Sequence, residues 1–213
     1  MNFKESIIEC FRNSLDYSSL VKGDKKFFLK SPFFNLINEE FSSFSFSEFD
    51  IEKLSSEHIN MFFSFFNETK NINKKLSEYK NSLKSGDVLF MTLLGGESLV
   101  ELRESFLFAD SHFDRLVYRV LPMLKAEGLA NYAQSLFKSS AISKEVKVFK
   151  FDCFESLLKF LRENKLTSNY FMDDIFKCEL ECYIKAKNYY ENNFNFEDKI
   201  LLTFEVFSLV AFV

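Results

Sequence analysis

The sequence predicts an α/β fold, a mixed sheet flanked by helices, and three observations carry that prediction. The run Val88–Leu94 (VLFMTLL) is apolar, too short for most helices, and bounded by Ser85-Gly86-Asp87 and Gly95-Gly96, so it reads as a buried strand. Directly after the glycines, Leu99, Leu102 and Phe106 recur three and four apart, the stripe of a buried helix, and Ser98 and Glu101 stand at capping-box spacing before it. Along the rest of the chain, short apolar runs alternate with helical stripes, the pattern of a layered sheet. With 213 residues, 47% of them hydrophobic, the chain suits a single domain, 1–213, with a large core.

The elements follow in order. Phe3, Ile7, Ile8, Phe11 and Leu15 predict an opening amphipathic helix, and Gly23-Asp24 a turn. Lys25–Lys30 reads as a short strand interrupted by Ser31-Pro32, and Phe33–Ile37 as a second strand leading into Asn38-Glu39-Glu40. Phe41–Phe46 reads as loop with apolar anchors, Phe49–Leu54 as strand, and Ser55–Phe66 as a mixed segment with a helical turn or two. Glu68–Leu83 reads as a surface helix turning Ile72, Leu76, Tyr79 and Leu83 inward. After the central strand and its helix, Asp110–Arg119 is a connector. Pro122 suits the first turn of a helix running to Ser139-Ser140, which Gly128 weakens. Val146–Phe151 alternates as a strand, Phe154–Glu163 is a helix, Asn164–Asn169 a turn, Asp173–Glu191 a longer helix, and Lys199–Val213 the last strand.

Thirty Phe beside no Trp supply core area rather than a binding surface. A net charge of −4 argues against a nucleic-acid partner, whose phosphates need a basic surface. Residues 1–5 carry no secretory signal, and the apolar tail from Ile200 contains Glu205 and is too short to span a membrane. Cys10, Cys153, Cys178 and Cys182 are scattered, as reduced thiols in a cytoplasmic protein would be.

Few residues suggest chemistry. His58 and His112 read as solvated or core histidines, and Asp173-Asp174 as a favourable helix start. Cys178 and Cys182 share a helix face with too few neighbours for zinc, so no metal is expected. Gly95-Gly96 are explained by tight passage from strand to helix. Arg103 could grip a substrate carboxylate or pair with a neighbouring side chain. No serine-nucleophile motif is present.

Several segments together carry a family resemblance. Gly86–Phe106 (GDVLFMTLLGGESLVELRESF) resembles the late strand, glycine pair and helix of the S-adenosylmethionine (SAM) dependent methyltransferase-like group. That group includes malonyl-carrier-protein O-methyltransferases and the mitochondrial complex I assembly factor 5 proteins. Asn38–Phe44 (NEEFSSF) with Phe49-Asp50-Ile51, then Thr167-Ser168-Asn169, Tyr189-Tyr190 and Thr203-Phe204-Glu205-Val206 match further segments in the same order. The similarity runs from about Asn38 to the C-terminus, with residues 1–37 divergent.

The resemblance implies a Rossmann-like methyltransferase fold whose first strand-loop-helix units are missing. It puts Asn38 where an Asp accepts from the adenine amino group. With Ser55 and Gly95, Asn38 would contact the cofactor. Gly96, Glu101 and Arg103 would border the substrate. A glycine-rich first loop is needed for backbone approach to such a cofactor, yet Gly23 is the one glycine before residue 86. The expectation is therefore a degenerate protein without normal SAM binding, acting as a protein-binding or assembly factor. The alternative is an active methyltransferase on a small carboxylic acid or carrier-protein thioester. A subunit that self-associates through an open sheet edge near Phe27 or Phe34 is the third possibility.

Overall fold

The computed structural model describes residues 3–48, 57–65, 71–120, 123–164, 166 and 179–213. Its elements are α1 (Phe3–Ser18), β1 (Lys25–Lys30), α2 (Phe34–Glu40), β2 (Phe46–Glu48), β3 (Ile59–Phe65), α3 (Ile72–Ser82) and β4 (Val88–Leu94), followed by α4 (Val100–Ser111), α5 (Ala126–Leu136), β5 (Ser139–Phe151), α6 (Phe154–Glu163), α7 (Leu180–Asn193), β6 (Asn195–Phe196) and β7 (Lys199–Phe212). Among the described residues the strands form one mixed sheet in the order β2-β1-β3-β4-β7-β5, with β6 also on β7. The first four in that order are parallel, and the second half of β7 runs antiparallel to the whole of β4, Val88 opposite Phe212 and Leu94 opposite Val206. None of the described helices is long and apolar enough to cross a membrane.

The chain divides into two compact units, the first made of Met1–Leu94, Lys125–Glu145 and Val206–Val213. Within it every β4 side chain is buried, because helices cover both faces of the parallel strands. On one face Phe11 of α1 meets Phe41, Phe46 and Phe63, and Phe63 stacks on Phe90 with ring centroids 4.6 Å apart. On the other, Tyr79 of α3 meets Phe62 edge-on at 4.8 Å. Each such buried ring contributes about 1.5–3 kcal/mol relative to exposure. The turn into β4 is held by Asp87: one carboxylate oxygen accepts from the Asn60 backbone and side-chain N–H groups, the other from the Lys84 N–H. Gly86, at φ +97°, supplies the left-handed step that this turn needs.

The second unit, Gly95–Leu124 with Val146–Glu205, has its own core. Phe154 of α6 meets Phe106 and Tyr190, and Phe149 of β5 lies between Phe160 and Phe204. α6 begins with a capping box in which Cys153 and Ser156 exchange hydrogen bonds with each other's backbone.

Four expectations are corrected. Phe33–Ile37 is not a strand: Phe33, Ile37 and Phe41 are four apart, the Ile37 N–H donates to Phe33 O and the Phe41 N–H to Ile37 O, and Ile37 is fully buried. The segment read as mixed with helical turns contains β3, which lacks alternation because both of its faces are covered. The helix expected from Pro122 begins at Ala126; residues 121–122 lie outside the described residues, as do Phe49–Ser56, much of the turn after Asn164 and the start of the last helix. Phe27 is not on an edge, since β1 is paired on both sides, and Phe34 is helical.

Candidate functional site

In the first unit, β1 lies between β2 and β3, all parallel. The chain leaves β1 for the neighbour on one side and later returns on the other. Diverging connections of this kind open a crevice at the carboxyl ends of β1 and β3, the ligand position of open parallel sheets. Lys30 and Ser64 are Cα partners there. The Lys30 ammonium stands 6.0 Å from the Tyr79 ring centroid. Ser64 is buried and, among the described residues, its hydroxyl has no hydrogen-bond partner.

The turn that leaves β1 at this crevice is Ser31-Pro32-Phe33. A nucleoside-binding loop would present free backbone N–H groups here. Pro32 has none. The Phe33 N–H donates to Ser31 Oγ at 3.0 Å and the Phe34 N–H to Ser31 O at 3.3 Å. Ser31 therefore satisfies the amides that a ligand would otherwise use, and the α2 that follows is only seven residues long. Asn38 lies in its last turn, exposed to solvent. Ser55 lies outside the described residues.

The second unit holds Gly95, Gly96, Glu101 and Arg103. The loop Gly95–Leu99 is laid along residues 203–205. The Gly95 N–H donates to Glu205 O at 2.7 Å, the Leu99 N–H to Thr203 O at 2.8 Å, and the Glu97 N–H to the Glu205 carboxylate at 3.0 Å. Ser98 Oγ donates to Glu205 O and accepts from Glu205 N–H, both at 2.9 Å. Glu101 accepts from the Thr203 N–H and from the Thr203 hydroxyl. The capping box expected of Ser98 and Glu101 is thus not formed, because both side chains cross to the last strand, and α4 starts after Leu99 at φ +57° without a side-chain cap.

Arg103 folds back over the same loop, donating to Gly96 O at 3.3 and 3.4 Å and to Ser98 O at 3.0 Å. Its Nε is buried without a hydrogen-bond partner among the described residues. Burial lowers the guanidinium pKa, and the nearby carboxylates of Glu97, Glu104 and Glu101 pull it back up. Gly95, Gly96, Glu101 and Arg103 are therefore brought together. What they make is a clamp on the loop. Those three glutamates also give its surroundings a negative field, unfavourable to a substrate carboxylate.

Sequence reasoning missed two buried networks in this unit. Arg119 donates two hydrogen bonds to Asp110, 2.7 and 2.8 Å, and the Cys182 thiol donates to the same carboxylate at 3.5 Å. Arg115 approaches Asp110 at 3.6 Å and Glu179 at 3.2 Å. Tyr190 is fully buried and donates to Leu201 O at 2.5 Å; burial first, and then the Glu101 charge, push its phenol well above the ordinary range. The signal for Glu205 was present in the sequence: a carboxylate inside an apolar strand must find donors.

No protein-family model and no curated protein sequence matches this chain. Among solved structures, a SAM dependent methyltransferase from Archaeoglobus fulgidus is 15% identical over 99% of this chain and 94% of its own, with a TM-score of 0.40. The YcgJ protein from Bacillus subtilis is 8% identical over 94% of this chain and 98% of its own, TM-score 0.48. MccD protein is 11% identical over 98% and 97%, TM-score 0.42. The mixed, helix-flanked Rossmann-like sheet is the fold class that the sequence predicts.

Proposed function

We propose that this chain is a methyltransferase-like protein that has lost ordinary SAM binding and acts as a protein-binding or assembly factor. The observation that carries the reading is the turn after β1, whose amides are absent at Pro32 and taken by Ser31 at Phe33 and Phe34. A nucleoside cofactor needs close main-chain approach at that point, and these residues do not fit it. In the second unit, Leu116 and Tyr118 on the connector and Val146, Val148 and Phe196 near β5 are large exposed apolar residues, the kind of surface a protein partner covers. Calorimetric titration with SAM tests the reading. The expected result is no saturable heat and no rise in melting temperature, since a ligand preferring the folded state raises apparent stability. Saturable binding at micromolar concentration overturns it.

A second reading, an active methyltransferase on a small acid or carrier-protein thioester, is favoured by two observations. Among the described residues the buried Ser64 hydroxyl at the carboxyl end of β3 has no hydrogen-bond partner, and Arg103 donates to the carbonyl oxygens of Gly96 and Ser98 rather than to a carboxylate. Transfer of label from methyl-labelled SAM to a carrier-protein thioester, lost in Arg103→Ala, would support it over the first.

A further inference from the structure

Within the first unit, a cleft of about 480 Å³ separates α1 from β7 and β5. Its helical wall is Cys10, Asn13, Ser14 and Tyr17, which share one face of α1 by their spacing. Its floor is Val206, Ser208 and Val210, alternate residues of β7 that point the same way. Beside the cleft, Phe11 packs α1 against Phe41, Phe46 and Phe63. Along the cleft, the smaller Cys10 and Ser14 of α1 stand opposite Val206, Ser208 and Val210. The cleft opens to solvent along Asn13, Asp16 and Tyr17, so an occupant would displace water from it.

The chemistry of the walls selects that occupant. Val206 and Val210 form an apolar floor, and Tyr17 offers a ring that is 44% exposed. The charged lining groups are Asp16, Glu145 and Lys144, two carboxylates against one ammonium. Asp16 has no ion-pair partner among the described residues, and the Cys10 thiol lies 4.0 Å from Glu145. A tyrosine ring beside the Asp16 carboxylate attracts a cation, while a valine floor takes an apolar body. We infer that the α1–β5–β7 cleft binds a small organic amine, a primary ammonium on a short apolar or aromatic body. The reading is independent of whether a cofactor occupies the β1–β3 crevice.

Titration of the whole chain with phenethylamine, with 2-phenylethanol and 3-phenylpropionate as neutral and anionic controls, tests it. The amine is expected to bind and the acid not to bind. The alcohol should bind at least about fivefold more weakly, and Asp16→Asn should weaken the amine by about fivefold, the scale of an exposed charge contact. Ser208→Phe fills the floor and should abolish binding. Asp16 is exposed, so its variant remains folded even if Ser208→Phe does not. Equal binding of amine and alcohol, no binding of the amine, or an Asp16→Asn protein with unchanged affinity would overturn the inference.

Discussion

Asp110 carries the most consequential side chain of the second unit. It is fully buried and its partner Arg119 nearly so, so removing the carboxylate leaves a guanidinium in a poorly solvated site. Asp110→Ala is expected to cost about 3–5 kcal/mol in urea denaturation, whereas breaking the exposed Lys187–Glu155 pair should cost under about 1 kcal/mol. Tyr190 gives a pH signature. Its folded-state pKa is raised by burial and then by Glu101, so the native protein keeps the phenolic proton that the unfolded chain loses. The unfolded state then binds fewer protons, and stability falls as pH rises above about 10, the free tyrosine value. Tyr190→Phe should lose about 1 kcal/mol near neutrality through its hydrogen bond and flatten that alkaline decline; an unchanged slope in denaturation above that pH would refute the assignment. The link between Asp110 and Cys182 was not legible in the sequence, because the two are 72 positions apart and only folding brings them together.

Among the elements, those with one strong signal were legible: α6 and β4 came out with their predicted limits, and β7 within a residue of them. The errors have physical causes. In Phe33–Ile37 five residues fit either period, and the decision came from Phe41, outside the run, completing an i, i+4 column with Ile37 and Phe33. The Ser98 and Glu101 pattern suited a cap, but a strand lying within reach offered better donors and acceptors. β6 was missed because its two-residue turn is Glu197-Asp198, both at positive φ (53° and 59°), where Asn-Gly would have announced a hairpin. Replacing that pair by Asn-Gly should stabilise the protein by about 1 kcal/mol, from the left-handed cost of ordinary side chains, measured as a higher melting temperature. Gly128, exposed inside α5, should likewise accept alanine with a gain of about 0.5–1 kcal/mol.

For the whole molecule, the negative charge predicts that a labelled DNA duplex stays free in a low-salt mobility assay, because there is no excess of cations to release counterions. The amount and order of apolar sequence were enough to determine an α/β chain: a seven-residue run with six apolar residues between glycine-bearing turns must be buried whatever surrounds it. Sequence likewise determined that no glycine-rich loop follows β1. Only the tertiary structure decided where the available donors and acceptors went. Hydrogen bonds are satisfied by whichever group lies nearest after packing, so Ser31 took the amides beside the crevice, Arg103 the carbonyls of the glycine loop, and Glu205 the amide of Glu97. Burial can be read one residue at a time; pairing needs both partners in place.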